Sequence, residues 1–132
     1  MKKIVLKGRI FSGHGGGARY LKLPWVKKQI TEKLGFEPFL GTLNLKLSKE
    51  TVERKKQLLR SSVAIKIIPE EGFCLGLCFK TLIMNKIQGA IVLPQVPGYP
   101  EDVLEVIAPV SLRKTLGVTE GDEVQLTVYL PR

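Results

Sequence analysis

From Thr42 to Leu47 the chain alternates strictly, with Leu43, Leu45 and Leu47 interleaved by Thr42, Asn44 and Lys46. A strand sends successive side chains to opposite faces, so the leucines belong to a core and the polar trio faces away from it. Similar short stretches bounded by Gly, Pro and Asn predict strands over Lys3–Phe11, Arg19–Leu23, Thr42–Leu47, Val63–Ile68, Phe73–Ile83, Ile87–Leu93, Val103–Ile107 and Glu123–Leu130. Asn85-Lys86 and Glu70-Glu71-Gly72 separate apolar runs at hairpin spacing, so the strands they join should run antiparallel.

Helical signals are fewer. Pro24 suits a first helical turn, Trp25, Ile30 and Leu34 form a partial apolar stripe, and Gly35 can close the helix. Thr51–Leu59 has helical propensity and enough basic residues to lie on the surface, and Ser111 to Gly117 reads as a short capped helix. No repeat or low-complexity linker divides the chain, which predicts one domain over residues 1–132. The expected fold is mainly β, a closed barrel with one or two short helices, because closure removes exposed strand edges.

With 44% hydrophobic and 25% charged residues, the composition is that of a soluble globule that needs no disulfide or structural metal. Cys74, Cys78 and His14 are the only cysteines and histidine, too few for a closed zinc site from this chain alone. The two thiols are expected to be buried on one face of a strand, in a reducing cytoplasm. Lys7 and Arg9 interrupt the apolar N-terminal run, so no cleavable leader is expected, and no run of roughly 18 apolar residues predicts a membrane span. A net charge of +9 favours a polyanionic partner: nucleic acid, an anionic surface or a nucleoside triphosphate. The basic residues are dispersed and no aromatic-basic pattern repeats, so a stacking platform for single strands is not expected.

Four features carry candidate chemistry. The Thr42 hydroxyl and Asn44 carboxamide can offer neutral, hard oxygen ligands to a small cation whose anionic ligands arrive with a nucleotide; equally, they can be the wet face of a half-buried strand. Ser12 to Ala18 carries four glycines in Gly13, Gly15, Gly16 and Gly17, suited to an anion nest or to a flexible hairpin loop between strands, and it is neither a Walker A loop nor the start of a Rossmann helix. Arg19 and Arg113 stand at loop ends where a fixed positive charge can meet an anion. Glu105 interrupts the apolar strand Val103–Ile107, and a buried carboxylate there requires hydrogen-bond partners, whereas on a one-sided strand it faces water. No residue has the spacing and partner of a general base, His14 included.

Taken together, SGHGGGARYLKLP, LGFEPFLGTLNLKL, GAIVLP and VLEVIAPVSLRKTLGVTEGDEV resemble the archaeal CTP-dependent riboflavin kinase family from Lys2 to about Tyr129. The resemblance implies a six-stranded cradle-loop barrel that transfers the γ-phosphoryl of CTP to the 5′-hydroxyl of riboflavin, giving FMN and CDP. It implies nucleotide contacts from Gly13, His14, Gly15, Gly16, Gly17, Ala18 and Arg19 and from Val110, Ser111, Leu112 and Arg113. It also implies Mg²⁺ ligands at Thr42 and Asn44, and flavin contacts at Glu105, with Pro97 and Tyr99 nearby.

Two departures stand out. Gly16 replaces a glutamate common in the family's glycine loop, and Pro97 aligns with a frequent threonine, offering neither hydroxyl nor N–H; Tyr99 can compensate by stacking. The implied protein is a cytoplasmic monomer acting on CTP and riboflavin, with no membrane or nucleic-acid partner. The competing readings are a basic small barrel that binds nucleic acid without catalysis, and a flavin-binding module without kinase activity.

Overall fold

The computed structural model describes residues 2–13 and 16–131, with Gly16 and Gly17 described through their backbone only. Strand β1 (Lys2–Phe11) is followed by α1 (Gly16–Leu21), α2 (Pro24–Leu34), β2 (Leu43–Leu47), α3 (Lys49–Arg60), β3 (Ile65–Ile67), β4 (Gly76–Ile83), β5 (Ile87–Pro94), β6 (Val103–Ile107), α4 (Leu112–Leu116) and β7 (Glu123–Leu130). The hydrogen-bonded order is β3-β4-β5-β6-β2-β1-β7, and a further β4–β7 pairing closes six of the strands into an antiparallel barrel with β3 outside the ring on β4. Closure rests on a short seam, Leu82↔Thr127 and Ile83↔Leu126, reinforced by the Thr81 hydroxyl donating to the Thr127 carbonyl at 3.0 Å.

Two apolar clusters occupy the two faces of the barrel wall. Leu6, Leu45, Phe79, Ile91, Leu104 and Leu126 are among the residues that fill the interior. The second cluster lies outside, where Leu21 of α1 and Val26 and Ile30 of α2 cover Cys78, Ala90, Val92 and Ile107. Strands β4, β5 and β6 therefore have both faces buried along part of their length, which explains their nearly continuous apolar sequence.

Several expectations are borne out closely. Strand β6 is Val103–Ile107, β7 is Glu123–Leu130, α2 ends on Gly35 at φ 85°, and α4 is capped by the Ser111 hydroxyl and Gly117. Four helices rather than one or two are present among the described residues. Arg19–Leu23 is not a strand: residues to Leu21 are helical and Leu23 caps α2 in an extended conformation, its carbonyl accepting from Val26 and Lys27. Alternation over five residues is too short to separate the two periods, and burial of Leu21 against α2 decides for the helix. The glycine-rich stretch accordingly leads into a helix instead of joining two strands.

Helix α3 is less superficial than its charge suggests, since Thr51, Val52, Lys55 and Leu58 share one buried face. The β4–β5 turn centres on Met84 and Asn85 at φ 52° and 57°, one residue earlier than expected, with the Lys86 N–H donating to the Ile83 carbonyl at 3.0 Å. Cys74 is also displaced from its expected place: β4 begins at Gly76, so this thiol is exposed in the preceding segment, whereas Cys78 is buried.

Burial pushes the Cys78 thiol from 9.0 up to about 12. The unfolded chain thus releases this proton near pH 9 while the folded chain retains it, so the contribution is intact below pH 9 and lost as pH rises towards about 12. Urea unfolding across that range should show a slope shallower by about 1.4 kcal/mol per pH unit in Cys78→Ala than in the parent. Equal slopes would place the thiol in contact with solvent.

Candidate active site

Strand register aligns one row of side chains across the outer wall of the barrel. Phe11 of β1 faces Asn44 of β2, Asn44 faces Glu105 of β6, and Glu105 faces Val92 of β5. Directly opposed residues point to the same side of a sheet, so the carboxamide and the carboxylate are neighbours by construction. The row forms the floor of a cavity of about 550 Å³, roofed by Tyr20 and Leu21 of α1, by Pro94 at the end of β5 and by Val96, Tyr99 and Pro100 of the β5–β6 loop. Thr42 and Lys46 complete its polar side.

Glu105 is 9% exposed and both of its oxygens are engaged. The Tyr99 hydroxyl donates to Oε2 at 2.8 Å, and the Thr42 hydroxyl reaches Oε1 at a long 3.4 Å. A Pro-Gly turn delivers Tyr99: its N–H donates to the Val96 carbonyl at 3.1 Å, and Gly98 holds φ 84°. Burial, then the charge of Glu105 and its hydrogen bond, push the Tyr99 hydroxyl well above the ordinary phenol range, which keeps it a donor. Of the two expectations for Glu105, the hydrogen-bonded buried carboxylate is the one observed.

The end of β1 reaches the same place. A Cβ on Gly13 would sit 2.4 Å from Asn44 Nδ2, so the backbone there lies directly against the carboxamide, and any larger residue would have to displace that side chain. The Ser12 hydroxyl donates to Glu120, tying this approach to the turn before β7. Of the residues expected to contact nucleotide, His14 and Gly15 lie outside the described residues, while Gly16, Gly17, Ala18 and Arg19 belong to α1.

Thr42 also borders a second, smaller hollow of about 110 Å³ shared with Val110, Ser111, Leu112 and Arg113. The Phe39 N–H donates to the Ala108 carbonyl at 2.8 Å, pinning the segment before β2 to the end of β6 and holding these two regions together. Pro97 is exposed and borders a neighbouring groove on the far side of Tyr99, not the main cavity.

No group of three or more His, Cys, Asp or Glu able to hold a metal occurs among the described residues. Two neutral oxygens beside one carboxylate instead fit a cation that keeps water and takes its remaining ligands from phosphates, as Mg²⁺ does. The donor set at Thr42, Asn44 and Glu105 is compatible with that ion.

Comparison with known proteins supplies the family. The family described as "Domain of unknown function DUF120", the CTP-dependent riboflavin kinases, matches residues 10–128. The chain belongs to this family. A riboflavin kinase of Ignicoccus hospitalis is 40% identical over 131 residues, covering 97% of this chain and 73% of its own length. One from Archaeoglobus fulgidus is 43% identical over 130 residues, covering 96% and 55%, and one from Pyrobaculum islandicum is 42% identical over 134 residues, covering 96% and 61%. The chain thus spans between about half and three-quarters of the length of these curated riboflavin kinases.

Of the residues singled out in the sequence, Gly13, Thr42, Asn44, Tyr99 and Glu105 line this cavity and Val110 to Arg113 the smaller hollow, whereas Lys46 and Tyr20 were not among the expected site residues. Lys46, over the Phe11 ring at 5.9 Å and 3.3 Å from Asp102, follows from the same alternation that singles out Thr42 and Asn44. Tyr20 was hidden by the strand reading of its segment. Its ring meets Trp25 edge-on at 6.0 Å, and its hydroxyl is buried against Gly76, where a Cβ would lie 2.8 Å away.

Tyr99→Phe removes a donor to a buried carboxylate, and chemical denaturation should show a loss of about 2 kcal/mol. A loss below about 0.5 kcal/mol would mean that solvent replaces this bond freely.

Proposed function

We propose that this chain is a riboflavin kinase that transfers the γ-phosphoryl of CTP to the 5′-hydroxyl of riboflavin, giving FMN and CDP. The observation that carries the reading is the register match that sets Asn44 beside Glu105 on the floor of a cavity with one apolar end. Tyr20, Leu21, Val92 and Val96 offer a slot of the kind a flat aromatic ring system requires, and Thr42, Asn44 and Glu105 offer polar groups to the ribityl chain and phosphates. Family membership and the names of the relatives support riboflavin as acceptor, and the family's designation supports CTP as donor.

Phosphoryl transfer asks a protein mainly for alignment and charge neutralisation. Thr42 and Asn44 would hold Mg²⁺, which when bound neutralises charge developing on the terminal phosphates. Gly13, having no side chain, leaves the space beside β1 that the Asn44 carboxamide occupies. The segment Val110–Arg113 borders Thr42 and would receive the nucleotide, with Arg113 contributing positive charge. Glu105 presents Oε1 to the acceptor hydroxyl, because Oε2 is committed to Tyr99 and the contact from Thr42 is long. The bond from the γ-phosphorus to the β–γ bridging oxygen breaks, a bond to the riboflavin oxygen forms, and the hydroxyl proton leaves to solvent. The free thiols of Cys74 and Cys78 fit a reducing cytoplasm.

Incubation with riboflavin, Mg²⁺ and each of the four nucleoside triphosphates, followed by chromatography, should yield FMN with CTP. Absence of FMN with every nucleotide would overturn the reading, and FMN with ATP alone would overturn the choice of donor. Asn44→Ala should lower turnover at least ~100-fold, the scale of losing one electrostatic stabiliser. Near-normal turnover of that variant at low Mg²⁺ would remove Asn44 from the reaction.

A further inference from the structure

Lys55 is a lysine in an unusual position. It sits on the inner face of α3 at 6% exposure, and its ammonium donates to the carbonyls of Val103 at 2.8 Å, Glu101 at 3.1 Å and Pro100 at 3.4 Å. Three carbonyls match the three N–H groups of an ammonium, so the charge is held by main-chain dipoles. Burial lowers its pKa, and the carboxylates of Asp102 and Glu101 work in the opposite direction from greater distance. A buried cation without a contacting carboxylate is costly, and packing alone would be served as well by methionine.

What the cation grips is the end of the β5–β6 loop and the first residue of β6. The same ammonium lies 5.5 Å from the centroid of the Tyr99 ring, whose hydroxyl donates to Glu105 at 2.8 Å. Tyr99 is therefore held from one side by Lys55 and from the other by the carboxylate. Pro94, Val96 and Tyr99 border both the main cavity and the adjoining groove of about 390 Å³ that contains Lys55. The loop is a partition between the two, and Lys55 fixes it from behind.

We infer that Lys55 is a positioning residue: it holds Tyr99 against Glu105, and so sets the acceptor side of the main cavity without touching either substrate. This inference rests on the proposed riboflavin kinase activity for its kinetic consequence, and on the fold alone for its structural one. Loss of the grip should weaken riboflavin binding while leaving the nucleotide side at Val110–Arg113 unaffected.

The test is a double-mutant cycle with a second, ligand-free readout. Lys55→Met should raise the KM for riboflavin about tenfold and change the KM for CTP by less than about threefold, the range expected for members of one hydrogen-bond network. Lys55→Arg, which can still donate to the carbonyls, should recover most of the riboflavin KM. If Lys55 acts through Tyr99, Lys55→Met combined with Tyr99→Phe should be no worse than the more impaired single variant.

In protein labelled at the tyrosine ζ-carbon, the resonance lost in Tyr99→Phe should shift in Lys55→Met without substrate present. Multiplying losses in the double variant, equal damage to both KM values, or an unmoved Tyr99 resonance would each overturn the inference. Should Lys55→Met fail to fold, the same comparison with Lys55→Gln decides it. Should the parent make no FMN, the kinase reading fails and the Tyr99 resonance alone decides the role of Lys55.

Discussion

The constraint on which the site depends is the phase of β2 relative to its two neighbours. Leu43, Leu45 and Leu47 must enter the barrel, and once they do, Asn44 has no choice but to face outward between Phe11 and Glu105. A slip of one residue would turn the leucines to solvent and the carboxamide into the interior. The burial that stabilises the fold therefore also fixes the two groups that the proposed chemistry needs side by side. Core packing and site geometry are read from the same five residues.

Placing the site on the outer wall follows from how the interior is used. A six-stranded barrel is narrow, and here its lumen is filled by Leu6, Leu45, Phe79, Leu104 and Leu126, leaving no room for a ligand. The cavity is built instead where α1 and the β5–β6 loop stand off from the wall, so that one side is apolar and the other carries oxygens. In the proposed reaction that division would give a planar aromatic acceptor the apolar side, with the donor entering from the adjoining hollow at Val110–Arg113. The loop supporting this space is tied by Tyr99 to the wall and by Lys55 to α3, which makes it a fixed partition.

Much of this was legible in the sequence wherever a single period dominated. Strict alternation gave β2 its faces, whereas the carboxylate inside Val103–Ile107 allowed either a buried, hydrogen-bonded group or one facing water, and only the covering of β6 on both faces decides for the former. The FEP-x-x-GTLN and VSLR motifs pointed to Thr42, Asn44 and the segment at Val110, which the fold brings to adjoining hollows. What was not legible depends on long-range contact. Arg19–Leu23 alternates but is helical up to Leu21, because Leu21 is buried against α2, and reading it as a strand hid Tyr20. Lys55 shares a helical face with Thr51, Val52 and Leu58, a spacing present in the sequence but masked by the basic residues around it. The partner that makes Lys55 interesting lies 48 residues away at Val103, beyond any local pattern.

The central claim is that the outward face of β2 beside Glu105 is where the donor's phosphates and their cation assemble. Paramagnetic Mn²⁺, added with CTP to ¹⁵N-labelled protein, tests this directly through line broadening. The account predicts broadening centred on the Asn44 side-chain amide and the Thr42 backbone amide, fading along the row towards Val92 and absent from the far end of β7. Broadening centred elsewhere, or none at Asn44 with CTP bound, would contradict it.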